Sequence, residues 1–461
     1  MNWRRQPQRR GAALAAGVAL VSLAATACAG AGGSGSGGSS SGSTKGSTIH
    51  VLMVNNPQMI DLEHLTAQYF TKPTGIKVDF TTLPEDNLRD KASQEFSSQA
   101  GQYDVATLSN FEIPFYSKNG WLAPLDSDIS GDSGFDQSDI LKPIAQSLTG
   151  PDGKVYGEPF YGESSFLMYR KDVFAAKHLT MPANPTWAQV ATLAKEANNA
   201  QPGMKGICLR GQTGWGENLA PLTTVVNTFG GTWFSKDWTA QVNAAPFQQA
   251  TNFYINLVKQ YGESGASQSG FTECLNIMQQ GKAAMWYDAT VAASTLDASG
   301  SPVKGKLGYA PAPVNKTKAS GWLYTWAWAI EKASKNQAAA WKFISWASGK
   351  SYINLVGTKL GWAKIPPGTR TSTYSNASYL KQASAFAKPT LNAIDSVDPN
   401  NPGVQPRPTS GIQFVDIPEF TDFGTKASQL ISNAIAGQIS VSSALQQSQS
   451  LAQTAGNKYK K

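Results

Sequence analysis

IHVLMVNNPQMIDLEHLTAQYF, Ile49 to Phe70, sets the fold class. Ile49–Val54 is a short apolar run, and Asn55-Asn56-Pro57 closes it, the pattern of a strand ending in a turn. From Asp61 the period changes: Leu62, Leu65 and Tyr69 recur at helical spacing. The alternation continues downstream. Ile76–Phe80 (IKVDF) alternates as a strand, Leu88–Gln99 reads as a helix, and Tyr103–Leu108 (YDVATL) reads as a buried strand. Strand, helix, strand, helix, strand within about 60 residues predicts a parallel sheet with crossover helices. Ligands of such sheets lie at the carboxyl ends of the strands. Asn55-Asn56 follows the first strand and Ser109-Asn110-Phe111-Glu112 the third, so both supply polar groups where a cleft is expected.

The α/β pattern resumes from about Phe160 to Asp288. Strands are expected at Ser165–Tyr169 and Ala283–Tyr287, and helices at Trp187–Asn198 and Pro246–Gln260. GWLYTWAWAI, Gly321–Ile330, follows, with Trp322, Tyr324, Trp326 and Trp328 at every second position, one face of a strand. Trp322 adjoins Gly321, and Trp215 lies between Gly214 and Gly216. A large ring flanked by glycine offers a flat apolar face suited to the C–H face of a sugar or polyol. Trp326 and Trp328 sit deeper in the strand and are assigned to the core. A helix at Gln337–Ser348 comes next, and Phe420–Ala455 is helical in pattern, broken at Gly437, with Ser440 capping the last helix. Pro399–Pro408 (PNNPGVQPRP) reads as an irregular loop from which Arg407 projects.

With 461 residues the chain is too long for one ordinary domain and implies two lobes. Its 41% apolar and 15% charged residues fit a globular protein with a sizeable core. Residues 1–27 read as an export signal. Arg4, Arg5, Arg9 and Arg10 precede the apolar stretch Ala12–Ala25, which is shorter than the ~20 residues a membrane span needs. Ala25-Thr26-Ala27-Cys28 resembles the lipobox of bacterial lipoproteins, which makes Cys28 the lipidated first residue of the mature chain. Residues 28–47 then form a tether: 15 of the 19 residues Ala29–Ser47 are Gly or Ser. Such a coil reaches roughly 25 Å. The expected location is the extracellular face of the cell membrane, held there by acyl chains. The formal charge of +8 falls to about +4 once four arginines leave with the signal (35 minus 31). Lys and Arg do not cluster, so no nucleic-acid partner is expected.

Chemistry-bearing motifs are sparse. His50, His64 and His178 are far apart and share no zinc-ligand spacing with cysteine, so no metal or cofactor is expected. Asp126-x-Asp128-x-Ser130-Gly131 begins like a calcium loop, but Gln137 stands where the bidentate Glu is required, which leaves a polar surface loop. Nucleophile-elbow and phosphate-loop patterns are missing. Glu112, Glu163 and Asp288 each fall at a strand end or cleft loop. Carboxylates there accept hydrogen bonds from ligand hydroxyls; the alternative is a secreted glycoside hydrolase in which Glu163 and Asp288 stand about 5–9 Å apart. Cys208 and Cys274 are either one disulfide, closing a loop of about 66 residues, or two separate buried thiols.

Four stretches, YGEPFYGESSFLMYRKDVF (156–174), GICLRGQTGWGENLA (206–220), GKAAMWYDATVAAS (281–294) and GWLYTWAWAI, resemble the family 1 extracellular solute-binding proteins of ABC importers. GQYDVATLSNFEIPFYSKNGWLAPLD (101–126) and QPRPTSGIQFVDIPEF (405–420) resemble its polyol branch, the sorbitol/mannitol-binding proteins. The resemblance runs from about Thr48 to Leu451. It implies a two-lobed, periplasmic-binding-protein-like α/β fold of type II that closes on a hinge over its ligand without catalysis. Lobe 1 is then 48–157 plus 291–346, and lobe 2 is 158–290 plus 347–461. The substrate positions implied are Asn56, Asn110 and Glu112 from lobe 1, Tyr161, Glu163, Trp215, Asp288 and Arg407 from lobe 2, and Trp322 from the hinge side. A small polyol or monosaccharide and an ABC permease are the implied partners, and the protein is expected to be a monomer.

Overall fold

The computed structural model describes residues 44–460. The signal segment, Cys28 and residues 29–43 of the tether lie outside the described residues. Eight strands build two sheets. They are β1 (Thr48–Val54), β2 (Lys77–Leu83), β3 (Val105–Ser109), β4 (Glu158–Glu163), β5 (Ser165–Arg170), β6 (Met285–Ala289), β7 (Leu307–Pro311) and β8 (Tyr324–Ile330). The first sheet has the order β2-β1-β3-β8-β4, the second β6-β5-β7.

β1 runs parallel to both β2 and β3, as the alternating periods predict. Ile49, Val51, Leu52, Met53 and Val54 are all fully buried. A strand covered on both faces reads as a continuous apolar run, which is why β1 shows little alternation. The aromatic strand β8 inserts antiparallel between β3 and β4. In the second sheet β5 is antiparallel to both neighbours. β4 pairs in the first sheet although the expected boundary put residues from 158 onward in lobe 2; the chain changes sheet at Ser164.

Several local expectations change. Asn55-Asn56-Pro57 is a helix start rather than a turn: Asn56 is the N-cap and Pro57 the first residue of the helix Pro57–Thr66. Proline lacks the amide hydrogen that is unsatisfied at that position anyway, and its fixed φ suits the first turn. Asp126–Gly131 is a short helix and not a loop, with Asp126 accepting from the Val155 amide at 3.2 Å. Helices at Trp187–Ala197, Ala245–Tyr261 and Gln337–Ala347 lie within a residue of their expected spans. The C-terminal pair, Phe420–Ile435 and Val441–Gly456, breaks at Gly437 (φ +78°), and Ser440 Oγ accepts from the Ser443 amide. Residues 399–408 form no helix or strand. Arg407 does not project from this loop: it folds back and donates to Gly411 O at 2.9 Å and Asn227 Oδ1 at 2.7 Å. Among the described residues no helix is long and apolar enough to cross a membrane.

Cys208 and Cys274 form a disulfide, Cα atoms 5.8 Å apart, that ties the 206–220 stretch to the helix Phe271–Gln279. A cross-link across 66 residues stabilises by up to ~4 kcal/mol in the chain-entropy picture. Cys208, Cys274 and Glu263 also lie close enough together to resemble a metal-ligand set, but both sulfurs are committed to each other.

Glu158 on β4 has no exposed surface. Burial pushes its carboxyl up to about 8 from the ordinary 4.5, against the pull of Arg370. A carboxyl raised on folding binds more protons folded than unfolded. Its contribution is therefore fully present below about pH 4.5 and is lost as pH rises through about 8. Thermal or urea denaturation should show Glu158→Gln to be more stable than the parent at pH 9, by on the order of a few kcal/mol, and close to it at pH 5. Parallel pH profiles for the two proteins would refute the assignment.

Candidate functional site

A narrow cavity opens where the strand ends of the first sheet face the loops around the second. β4 and β8 build its floor. Residues two apart share a face of a strand. Tyr161 and Glu163 on β4 therefore stand together, and the register sets them opposite Trp326 and Tyr324 of β8. Trp322, just before β8, extends the row. Asn56, from the start of the helix after β1, donates to the Tyr161 hydroxyl at 2.6 Å. Glu85, in the first turn of the helix Glu85–Ser98, adds a carboxylate. From the other side come Arg210, Gly216, Phe271, Gln413 and Phe414.

The row of rings from Trp322 to Trp328 splits its duty. Trp322, Tyr324 and Trp326 line the cavity. Trp328 packs against Phe160 and Phe343, with ring centroids 5.3 and 5.4 Å away. Trp326, assigned to the core, is 2% exposed and packed in it, and it also forms part of the cavity wall, because the void reaches further along the strand than the glycine at its entry suggests.

Glu163 is 5% exposed, and no other described residue hydrogen-bonds or pairs with its carboxyl. Burial raises it well above the ordinary carboxylate range, Arg210 opposes the rise, and Asp288 adds to it. Nearly all buried polar groups in folded proteins have partners. A buried carboxyl facing a cavity without one is a group waiting for a ligand. The Trp322 indole N–H is likewise buried without a partner.

The other sequence candidates are placed differently. Asp288 does not face the cavity and has no exposed surface. Its oxygens accept from Arg210 Nε (2.8 Å) and Nη2 (2.6 Å), from Trp286 Nε1 (3.0 Å) and from the Ala289 amide (2.7 Å). Arg210, which does line the cavity, also donates to Gly216 O and lies near Glu217. Asp288 thus acts by fixing Arg210, and Arg210 is a site residue the sequence reading missed. Its only local mark is the string LRGQTGW, and its partner is 78 residues away.

Glu112 is also committed elsewhere. It accepts from Arg89 Nη1 (3.2 Å) and from the Ser109 amide and hydroxyl (both 2.8 Å), below the cavity wall. Trp215 does not present a free face: the Arg89 guanidinium sits 3.9 Å from its ring centroid, and Phe111 and Phe414 pack at 4.8 and 4.9 Å. Asn110 binds β8, accepting from the Thr325 amide and donating to Leu323 O, and faces a different cavity. Arg407 is held by Asn227 and Gly411 away from the site. Of the nine substrate positions, Asn56, Tyr161, Glu163 and Trp322 meet in one cavity. The Glu163–Asp288 pair of the glycosidase alternative is not assembled there, since Asp288 is sealed behind Arg210.

Burial, with Glu85 adding to it, pushes Asp86 up to about 7 and Glu217 up to about 8.

The sequence profile of the bacterial extracellular solute-binding proteins matches residues 56–352. A mannitol-binding protein of Pseudomonas aeruginosa is 40% identical over 400 residues, 86% of this chain and 90% of its own length. An erythritol/L-threitol-binding protein of Mycolicibacterium smegmatis is 27% identical over 335 residues, 67% of this chain and 68% of its own. The crystal structure of an ABC transporter solute-binding protein from Agrobacterium vitis with bound D-mannitol superposes with a TM-score of 0.87 at 45% identity, covering 90% of this chain and 99% of its own.

Removing Arg210 strands a fully buried Asp288 charge. Arg210→Ala should lower the unfolding free energy by about 3–5 kcal/mol in urea denaturation, and Arg210→Met with Asp288→Leu should restore most of it. A loss below about 1 kcal/mol in the single variant would show that the pair does not carry this load.

Proposed function

The chain belongs to the bacterial extracellular solute-binding proteins, and we propose that within that family it captures an acyclic polyol of the mannitol or sorbitol type, or a monosaccharide of similar size, for delivery to an ABC permease. One observation carries this reading: Glu163, buried and unpartnered, faces a cavity floored by aromatic rings. A polyol is a chain of hydroxyls on one side and C–H groups on the other. Glu163, the Asn56–Tyr161 pair, Glu85 and the Trp322 N–H serve the hydroxyls. Trp322, Tyr324 and Trp326 supply apolar faces for the C–H groups. Each hydrogen bond to a charged group contributes roughly 1.5–3 kcal/mol, so several are needed to exceed the cost of ordering a flexible polyol and closing the protein around it.

The A. vitis protein has bound D-mannitol, and the P. aeruginosa relative is named for mannitol; at 45% and 40% identity both support a hexitol here. The hydrolase reading is set aside: the family consists of solute-binding transport proteins, and Asp288 is sealed behind Arg210.

The two sheets are the cores of two lobes, with β4 belonging to the first and the hinge passing through Ser164. Closure sets the 210–217 and 410–419 segments against the strand ends of the first sheet, and the binding-competent state is the closed one. The mature chain acts as a monomer, anchored through lipid on Cys28 with residues 29–47 as its tether.

Isothermal titration calorimetry with D-mannitol, D-sorbitol and a panel of monosaccharides tests the reading. At least one should bind, and Glu163→Gln should weaken it tenfold or more with the melting temperature held. A ligand at 100 times its dissociation constant adds roughly 2.7 kcal/mol of stability, visible as a thermal shift. Absence of any polyol or sugar binding, or hydrolysis of a bound glycoside, defeats the proposal.

A further inference from the structure

The wall of the binding cavity has a second side. Tyr324, Gln413 and Phe414 line that narrow cavity and also a larger, open one of about 470 Å³. Two of the three wall residues are fixed. The Tyr324 hydroxyl accepts from Arg89, and the Phe414 ring packs among Phe111, Trp215 and Phe420 at 5.5, 4.9 and 5.8 Å. Gln413 is different: it is 3% exposed, yet its side-chain amide hydrogen-bonds no other described residue. A buried amide without partners costs about 1–3 kcal/mol, so a fold that keeps one facing two voids leaves it available to whatever fills them.

The larger cavity carries hydroxyl-binding chemistry of its own. Gln146, Asn400, Ser410 and Asp416 line it, with the Phe111 and Phe414 rings as apolar faces. Asp416 makes no hydrogen bond or ion pair with any other described residue, and burial raises its carboxyl. Polar groups set around flat rings repeat the composition of the first cavity at a scale that suits a pyranose ring.

We propose that the cavity beyond Gln413 is a second hydroxyl-binding subsite, and that the ligand class extends to glycosyl-alditols, with the alditol against Glu163 and the attached sugar ring reaching past Gln413 toward Asp416. The inference rests on the polyol reading of the first cavity. Gln413 is the shared contact, turning its amide to bridge the two halves of the ligand. A free hexitol fills only the first subsite.

Calorimetry with D-mannitol, D-sorbitol and maltitol, a glucosylated hexitol, tests it on the parent, on Asp416→Ala and on Ser410→Trp, whose indole fills the second cavity. Neither substituted residue lines the first cavity. The expected result is that the parent binds maltitol within tenfold of its better hexitol. Both variants should lose maltitol affinity tenfold or more, with hexitol affinity and melting temperature unchanged. Hexitol binding without maltitol binding overturns the second subsite alone, as do variants that weaken both ligands equally. Failure of every alditol to bind the parent overturns the first subsite and this one with it.

Discussion

A guanidinium almost out of water organises the site. Arg89 is 5% exposed and sits inside the wall of the binding cavity. Burying an unpaired charge costs several kcal/mol, so the surrounding residues are committed to it before they are free for anything else. Glu85 and Glu112 supply the negative charge, Tyr324 a hydroxyl, and Trp215 and Trp326 the faces of their rings at 3.9 and 4.8 Å. These contacts reach from the helix after β2 to the loop at 210–217 and to β8. Glu112 and Trp215, two residues whose chemistry suits a sugar, are therefore scaffolding. Arg210 repeats the arrangement on the opposite side with Asp288, Glu217 and the Phe271 ring.

The two arginines leave the cavity with a particular polarity. The lining sets Glu163 among rings and beside two groups already held in ion pairs, Glu85 and Arg210. Burial raises Glu163, Asp86 and Glu217, and Glu85 adds to the rise in each. The same chemistry explains why the structure tolerates so many acids in a small volume: they need not all be ionised together.

How far the sequence reveals this differs by level. β1 to β3 and their crossover helices are legible because each is local, and the change of period from two to about 3.6 needs no distant partner. Antiparallel insertion of β8 between β3 and β4 joins segments 215 residues apart and leaves no local trace. Glu163 and Trp322 are legible as site residues from their place at a strand end and beside a glycine. Asp288 shares that mark with Glu163 but is consumed by Arg210, and only the folded packing distinguishes them. Trp326 shows the limit of alternation: period two tells which residues share a face but not how far along that face the void extends. Pro57 shows another, since proline after two asparagines suits a turn and a helix start equally.

One residue, Ser164, separates β4 in one sheet from β5 in the other. It is clasped to Thr290 by two hydrogen bonds: its amide donates to the Thr290 hydroxyl at 3.2 Å and its carbonyl accepts from the Thr290 amide at 2.8 Å. Glu163 immediately precedes it. On the hinge proposed at Ser164, a swing of one sheet against the other turns beside that carboxyl, where the lever arm is short. On that hinge Glu163 is a fixed jaw. A guest meets it in the same position whether the protein is ajar or shut, and capture begins on a part that does not travel.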